Sequence, residues 1–238
     1  SPEMPYGTMG NTPVVVVIPA LNEEEAVGSV IADIPDGIDE VIVVDNGSTD
    51  GTVDCARAAG ATVVTEQVRG YGNACLSGLR QATSAGDAII VFLDADRSDF
   101  PHEMTTLIEP IRAGRADFVL GDRGASDRPW HARAGTELCV YLINQLWGTS
   151  YRDLGPFRAI RRSTVDQLQM KDRTWGWTIE MQIKAAEAGL VICEVPVRQR
   201  ERVGQSKISG TMTGTVKAGT RMLYTIWFLW RTRHKRAL

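Results

Sequence analysis

Cysteine is scarce in this chain of 238 residues: there are four, at positions 55, 75, 139 and 193, with no Cys-x-x-Cys pair. Isolated, scattered thiols exclude a disulfide framework and a cysteine-built zinc site, and suit reduced cysteines in the cytosol. The opening SPEMPYGTMG lacks a charged segment followed by an apolar one, which excludes a signal peptide; residues 1–11 are expected to form a flexible lead. The apolar stretch MLYTIWFLW, Met222–Trp230, is nine residues long, far short of the roughly 20 that a membrane-crossing helix needs. Compositional bias is also absent: 43% of residues are hydrophobic, 23% are charged and the net charge is −3, which excludes a disordered or fibrous chain.

Charge is unevenly spread. From Arg198 to Leu238 there are ten Lys or Arg residues against one acid, Glu201. This end reads either as a solvated basic helix or as a segment that meets phosphates or an anionic membrane. Trp227 and Trp230 beside the basic run RTRHKRAL suit an interfacial anchor. A C-terminal helix packed on the core is the alternative.

Residues 13–20, 39–46, 87–96 and 116–122, with a further run near 61–66, are short, apolar and rich in β-branched side chains. Such runs predict central strands of a sheet covered on both faces. Helical patterns fall between them: Glu23 to Ile34 after Asn22 as N-cap, Thr52 to Ala59 after Asp50 with Gly60 as stop, Gly72 to Ser84, and Pro101 to Ala113. Strand–helix alternation predicts an α/β fold with a mostly parallel sheet, whose ligands bind at the carboxyl ends of the strands. Polar clusters sit at those ends: Pro19-Ala20-Leu21-Asn22-Glu23, Asp45-Asn46-Gly47-Ser48, Arg69-Gly70-Tyr71-Gly72-Asn73 and Asp94-Ala95-Asp96. Residues two apart on an extended chain share a face, so Asp94 and Asp96 are expected to face one ligand. Paired carboxylates repel unless a cation lies between them, and Mg²⁺ or Mn²⁺ with oxygen ligands suits that place. A nucleotidyltransferase shares this plan, but its Gly-rich basic loop after the first strand is missing.

The ordered set VVIPALNEEEAV, VIVVDNGSTDGT, RGYGNACLSGL and FLDADRSDFP resembles the inverting family-2 glycosyltransferases of GT-A fold. LGDRG, YRDLGPFRAIRR, TWGWTIEMQIKAAEAG, EVPVRQRER and VGQSKISG are similar to the dolichyl- and polyprenyl-phosphate mannose or glucose synthase branch. The resemblance spans roughly residues 12–222 and implies one catalytic domain, with a nucleotide-sugar half (about 12–124), an acceptor half (about 125–222) and a basic, apolar tail (223–238). It implies a metal-dependent transfer of a hexose from a UDP- or GDP-linked donor to a polyprenyl or dolichyl phosphate. The implied partners are the donor, the lipid phosphate and the cytoplasmic membrane surface, bound peripherally, with no nucleic acid. Transfer to a soluble sugar or small phosphorylated acceptor, and nucleotide-sugar binding without turnover, stay open.

The resemblance also implies roles. Pro19, Asn22, Glu23, Asp45, Asn46, Gly70, Gly72, Asp94, Ala95, Asp96 and Arg123 fall on the nucleotide-sugar site, with Asp94 and Asp96 as metal ligands. Asn46 stands where the family usually has a second aspartate. Gly70 and Gly72 would let the backbone pass close to the nucleotide, or simply form a turn. Asp96 and Asp153 are the catalytic candidates, with Asp153 as base, as orienting anion or as a turn aspartate. Arg123, Arg133, Glu180, Arg202 and Lys207 fall on the acceptor side. Glu180 is the second candidate base, or else a buried carboxylate paired with Arg158. Ser98 replaces a Gln common in the branch, and Asp99 is expected to cap the helix that begins near Pro101.

Overall fold

The computed structural model describes residues 12–82, 86–124, 130–203 and 212–236. Seven strands form one sheet: β1 (Val14–Ala20), β2 (Glu40–Asp45), β3 (Thr62–Thr65), β4 (Ile89–Phe92), β5 (Phe118–Asp122), β6 (Arg158–Arg161) and β7 (Ile192–Pro196), in spatial order β3-β2-β1-β4-β6-β5-β7. β6 runs antiparallel to both of its neighbours, and the other pairs are parallel.

The apolar strands are buried on both faces. Val15 and Val17 of β1 enter one core cluster, with side chains of α3 (Tyr71–Gln81), α5 (Trp130–Trp147), α6 (Arg162–Leu168), α7 (Trp177–Glu187) and α8 (Met212–Arg236). Val14, Val16 and Ile18 enter the other, with α1 (Val27–Ala32), α2 (Thr52–Ala58) and α4 (Met104–Arg112). Alternate β1 residues thus serve opposite faces, as the pleat requires.

Several local expectations change. The first helix starts at Val27, not Glu23. Asn22 takes a left-handed φ of 53° and its Oδ1 accepts from the Thr49 N–H at 2.8 Å, so it ties two strand-end loops and caps no helix. Gly51 is the N-cap of α2, and Asp50 just before it accepts from the Thr52 N–H at 3.1 Å. β4 ends at Phe92, so Asp94 and Asp96 lie in the loop beyond it and strand alternation does not govern their directions. The expected helix at Pro101 opens with a 3₁₀ turn, Pro101–Glu103.

The C-terminal apolar stretch belongs to α8, a helix of 25 residues. Its inner face (Ala218, Thr225, Ile226, Leu229) is buried, while Val216, Leu223, Tyr224, Trp227, Phe228 and Trp230 are exposed. Core packing and an outward apolar face therefore coexist on one helix. No described helix is long and apolar enough to cross a membrane.

Candidate active site

The loops after β1, β2 and β4 meet at one edge, and a late segment crosses them. After β7 the chain turns back along the loop that follows β4: the Val203 N–H donates to the Asp96 carbonyl and the Arg200 N–H to the Ser98 carbonyl, both at 2.9 Å. That pairing delivers Arg202, whose guanidinium reaches Glu23 Oε1 at 3.5 Å and Asp96 Oδ2 at 3.4 Å. Residues 23, 96 and 202, distant in sequence, are thereby joined.

The acidic centre lies beside them. Asp96 Oδ1 accepts from the Ser98 N–H at 2.9 Å and hydroxyl at 2.6 Å. Asp94 accepts from the Tyr71 hydroxyl at 3.3 Å. Burial, then the charge of Asp96, then that of Asp99, push the Asp94 carboxyl up to about 8. Asp99 caps nothing: it is 2% exposed, Oδ1 takes a long hydrogen bond of 3.4 Å from Gln199, and Oδ2 has no partner among the described residues. Burial pushes it up to about 6 against the pull of Arg123.

Arg123 and Asp153 form a buried, two-pronged ion pair. Arg123 donates from Nε to Oδ2 at 2.6 Å, from Nη2 to Oδ1 at 2.7 Å and from its backbone N–H at 3.1 Å. The Leu154 N–H adds a fourth donor at 2.8 Å. Burial opposes ionisation of Asp153, yet the Arg123 hydrogen bonds and charge hold its carboxyl below the ordinary value of 3.8. Both oxygens thus already accept hydrogen bonds, and the geometry of this structure suits an anchor for Arg123 better than a proton acceptor.

The donor set suits a divalent cation. Asp94 and Asp96 repel each other in a half-buried place, which a cation relieves. Among the described residues no three His, Cys, Asp or Glu side chains are grouped to hold a metal. A two-carboxylate oxygen site fits Mg²⁺ or Mn²⁺, which commonly complete their shell with water and substrate phosphates.

Other expected residues have different employment. Asn46 Nδ2 donates to the carbonyls of Glu66 and Val68, each at 2.9 Å, and Oδ1 accepts from the Gly70 N–H at 2.8 Å. All three bonds tie down residues 66–70, so the amide at this position serves the loop; a carboxylate cannot make the two donations. Asn46→Asp is expected to cost about 2 kcal/mol and to raise amide exchange in residues 66–70; unchanged exchange would sink the idea.

Gly70 and Gly72 make room for protein. A Cβ on Gly70 would collide with the Arg173 carbonyl oxygen, and one on Gly72 with that of Asp172. The Gly72 and Asn73 N–H groups donate to the Thr174 and Arg173 carbonyls at 3.2 and 3.1 Å. The space beside the first turn of α3 is therefore taken by the 172–174 loop, where the backbone was expected to pass close to the nucleotide or to form a simple turn.

Asp45 is buried and accepts from the Ser48 N–H at 3.0 Å, shaping the turn after β2. Pro19 pairs in register with Val44, and Ala95 is buried between the two aspartates. Glu180 is buried and accepts from the backbone N–H groups of Lys171, at 3.0 Å, and Asp172, at 2.6 Å, while pairing with Lys184 at 2.8 Å. The expected partner Arg158 instead donates to Gly155, Thr178 and Gln182. Arg133 meets Glu137 on α5 at 4.0 Å, and no described contact joins it to the carboxylates. Lys207 and most of VGQSKISG lie outside the described residues. The sequence reading missed Tyr71, Asp172 and Gln199; Tyr71 had a visible signal, an aromatic hydroxyl between the two glycines of a strand-end loop.

Comparison with known proteins agrees with this architecture. The family model described as Glycosyl transferase family 2 matches residues 15–168. An uncharacterized glycosyltransferase of Mycobacterium tuberculosis is 36% identical over 214 residues, covering 88% of this chain and 96% of its own. A dolichyl-phosphate hexose transferase of Haloferax volcanii is 37% identical over 202 residues, covering 81% and 85%. Among solved structures, glucosyl-3-phosphoglycerate synthase from Mycobacterium tuberculosis, in complex with Mn²⁺, UDP and glucosyl-3-phosphoglycerate, superposes with a TM-score of 0.72 at 26% identity, covering 95% of this chain and 85% of that one. The sheet order and the helices on both its faces make this a GT-A fold. With the family model spanning more than half its length, the chain belongs to glycosyl transferase family 2 and is a glycosyltransferase.

Proposed function

We propose that this glycosyltransferase moves a hexose, with inversion, from a UDP- or GDP-linked donor to a polyprenyl-type phosphate at a membrane surface, using Mg²⁺ or Mn²⁺ held by Asp94 and Asp96. The observation that carries the lipid reading is the outer face of α8. At 100° per residue its exposed apolar side chains fall within an arc of about 160°. Tyr141 and Leu138 of the neighbouring α5 are also exposed. Arg231 lies over Trp227 and Arg233 over Trp230, a pairing of aromatic rings with cations that suits anionic headgroups.

A bound cation would neutralise charge on the departing diphosphate. The chain supplies the rest. Arg202 stands between Glu23 and Asp96 as a cation near the donor phosphates. Arg123, fixed by Asp153, presents a second. A phosphate monoester acceptor is already ionised, so the reaction needs a cation to orient it more than a strong base. The same relation explains why Asp153 can remain an anchor.

A second reading has its own support, the likeness to a synthase solved with a small phosphorylated sugar product. It keeps the donor site and replaces the lipid by a soluble phosphorylated acceptor.

The deciding assay offers labelled UDP- and GDP-sugars with a short polyprenyl phosphate and Mn²⁺, with and without chelator. Label extracted into organic solvent only without chelator is the expected result. Nucleotide release without extractable label would replace the lipid by a soluble acceptor. A companion measurement uses α8. Trp227→Ser with Phe228→Ser is expected to weaken binding to anionic vesicles by about tenfold or more with little change in melting temperature, because both side chains are about half exposed. Leu229→Ala, on the buried face, should instead cost about 2–4 kcal/mol of stability. Full vesicle binding by the double variant would reduce α8 to a packing helix.

A further inference from the structure

A chain of contacts runs from α8 to the carboxylate pair, and its centre is Asp172. This aspartate is 8% exposed. Oδ2 accepts from Arg221 Nη2 at 3.0 Å and from the Thr225 hydroxyl at 3.3 Å, both on α8. Oδ1 accepts from the Thr174 N–H at 2.7 Å and its hydroxyl at 2.9 Å. Arg221 Nε donates to the same Thr174 hydroxyl at 3.0 Å. The Thr174 and Arg173 carbonyls in turn hold Gly72 and Asn73, and Tyr71 begins that turn. Glu180 holds the loop from behind through the N–H groups of Lys171 and Asp172, and Lys184 donates to the Gln169 carbonyl at 2.7 Å. The two glycines leave no room between the turn and the loop, so any displacement of residues 172–174 displaces Tyr71.

Tyr71 ends the chain at the site. Its hydroxyl donates to Asp94 Oδ1, and the ring is packed against the core cluster that includes Phe92 and Trp177. The hydrogen bond fixes one carboxylate oxygen of a side chain whose backbone lies past the end of its strand and has no ladder to orient it.

We propose that Tyr71 and Asp172 are positioning residues for Asp94: Tyr71 orients the carboxylate directly, and Asp172 acts through Tyr71 by clamping its turn to α8. The proposal rests on the reading of Asp94 as a metal ligand. Partners that orient a ligating group usually change metal affinity by about 10–100-fold when removed. A double-mutant comparison separates action through Tyr71 from independent effects.

The experiment is a titration of free Mn²⁺ by electron paramagnetic resonance, against the full chain with UDP present and again with GDP. Tyr71→Phe is expected to weaken Mn²⁺ binding about tenfold. Asp172→Asn, which keeps an acceptor for Thr174 and loses the one facing Arg221 and Thr225, should weaken it in the same direction by less. The double variant should bind Mn²⁺ no more weakly than Tyr71→Phe alone. If Asp172→Asn does not fold, Arg221→Met severs the same link from a more exposed position. Unchanged affinity in Tyr71→Phe, while Asp94→Asn loses Mn²⁺, overturns the proposal alone. Additive losses overturn the relay through Tyr71. Unchanged affinity in Asp94→Asn overturns the metal reading and this proposal together.

Discussion

Asp96→Ala is expected to lower sugar transfer by about 10²–10³-fold and to leave the melting temperature nearly unchanged. The two effects separate because Asp96 spends little of its carboxylate on the fold. It accepts from the Ser98 N–H and hydroxyl, and it pairs loosely with Arg202 at 3.4 Å. Losing those bonds costs on the order of 1 kcal/mol. Against that stands relief of repulsion with half-buried Asp94, whose carboxyl is pushed up to about 8 by desolvation and the charge of Asp96. A side chain whose removal eases strain on its neighbour is retained for what it binds. Transfer rates measured across a Mn²⁺ series, beside a thermal melt, test this. A variant that regains the wild-type rate at saturating Mn²⁺ would show that Asp96 contributes affinity alone, and an unchanged rate throughout would remove it from the metal site.

β1, β2, β4 and β5 were legible because each is an apolar, β-branched run with turn residues at its end, the pattern of a strand covered on both faces. β6 was not. Its four residues, Arg158–Arg161, are half arginine, and one of those arginines is wholly buried. Arg158 survives there because Gly155, Thr178 and Gln182 supply acceptors for its guanidinium, a provision from three separate places that no local pattern encodes. The site divides the same way. Residue type marked Asp94 and Asp96, since chemistry alone makes two adjacent carboxylates costly. Direction and partner were not readable for Asn46, Gly70, Gly72 or Asp99, because each answers to a loop distant in sequence: residues 66–70, 172–174 or 199. Capping and close approach are local explanations, and they fail where a long-range packing partner takes the same groups first.

Asp153→Asn carries the second large effect, and its stability signature is pH-dependent. The carboxylate holds buried Arg123 through bonds of 2.6 and 2.7 Å. An amide leaves that cation without its counter-charge and turns an N–H₂ toward a donor, at an expected cost of about 3 kcal/mol. The folded carboxyl titrates below the ordinary value of 3.8, so the ionised form is favoured in the folded state. The stabilisation is therefore fully present above the unfolded pKa and is lost as pH falls through the folded one. Urea denaturation should show a wild-type advantage over Asp153→Asn that is constant near neutral pH and shrinks below about pH 4. An advantage that persists unchanged to pH 2 would mean that the ion pair is not its source. Activity discriminates the remaining roles. If Asp153 serves by fixing Arg123, then Arg123→Ala and Asp153→Asn should lose transfer to a similar extent, and the double variant should lose little more. A proton acceptor would behave otherwise: Asp153→Asn would abolish turnover while Arg123→Ala kept much of it, and the pH–rate profile would lose its acid limb. The four donors already on the carboxylate, two from the guanidinium and two from backbone N–H groups, favour the first result, because a base surrounded by donors gives up basicity in proportion to the hydrogen bonds it accepts.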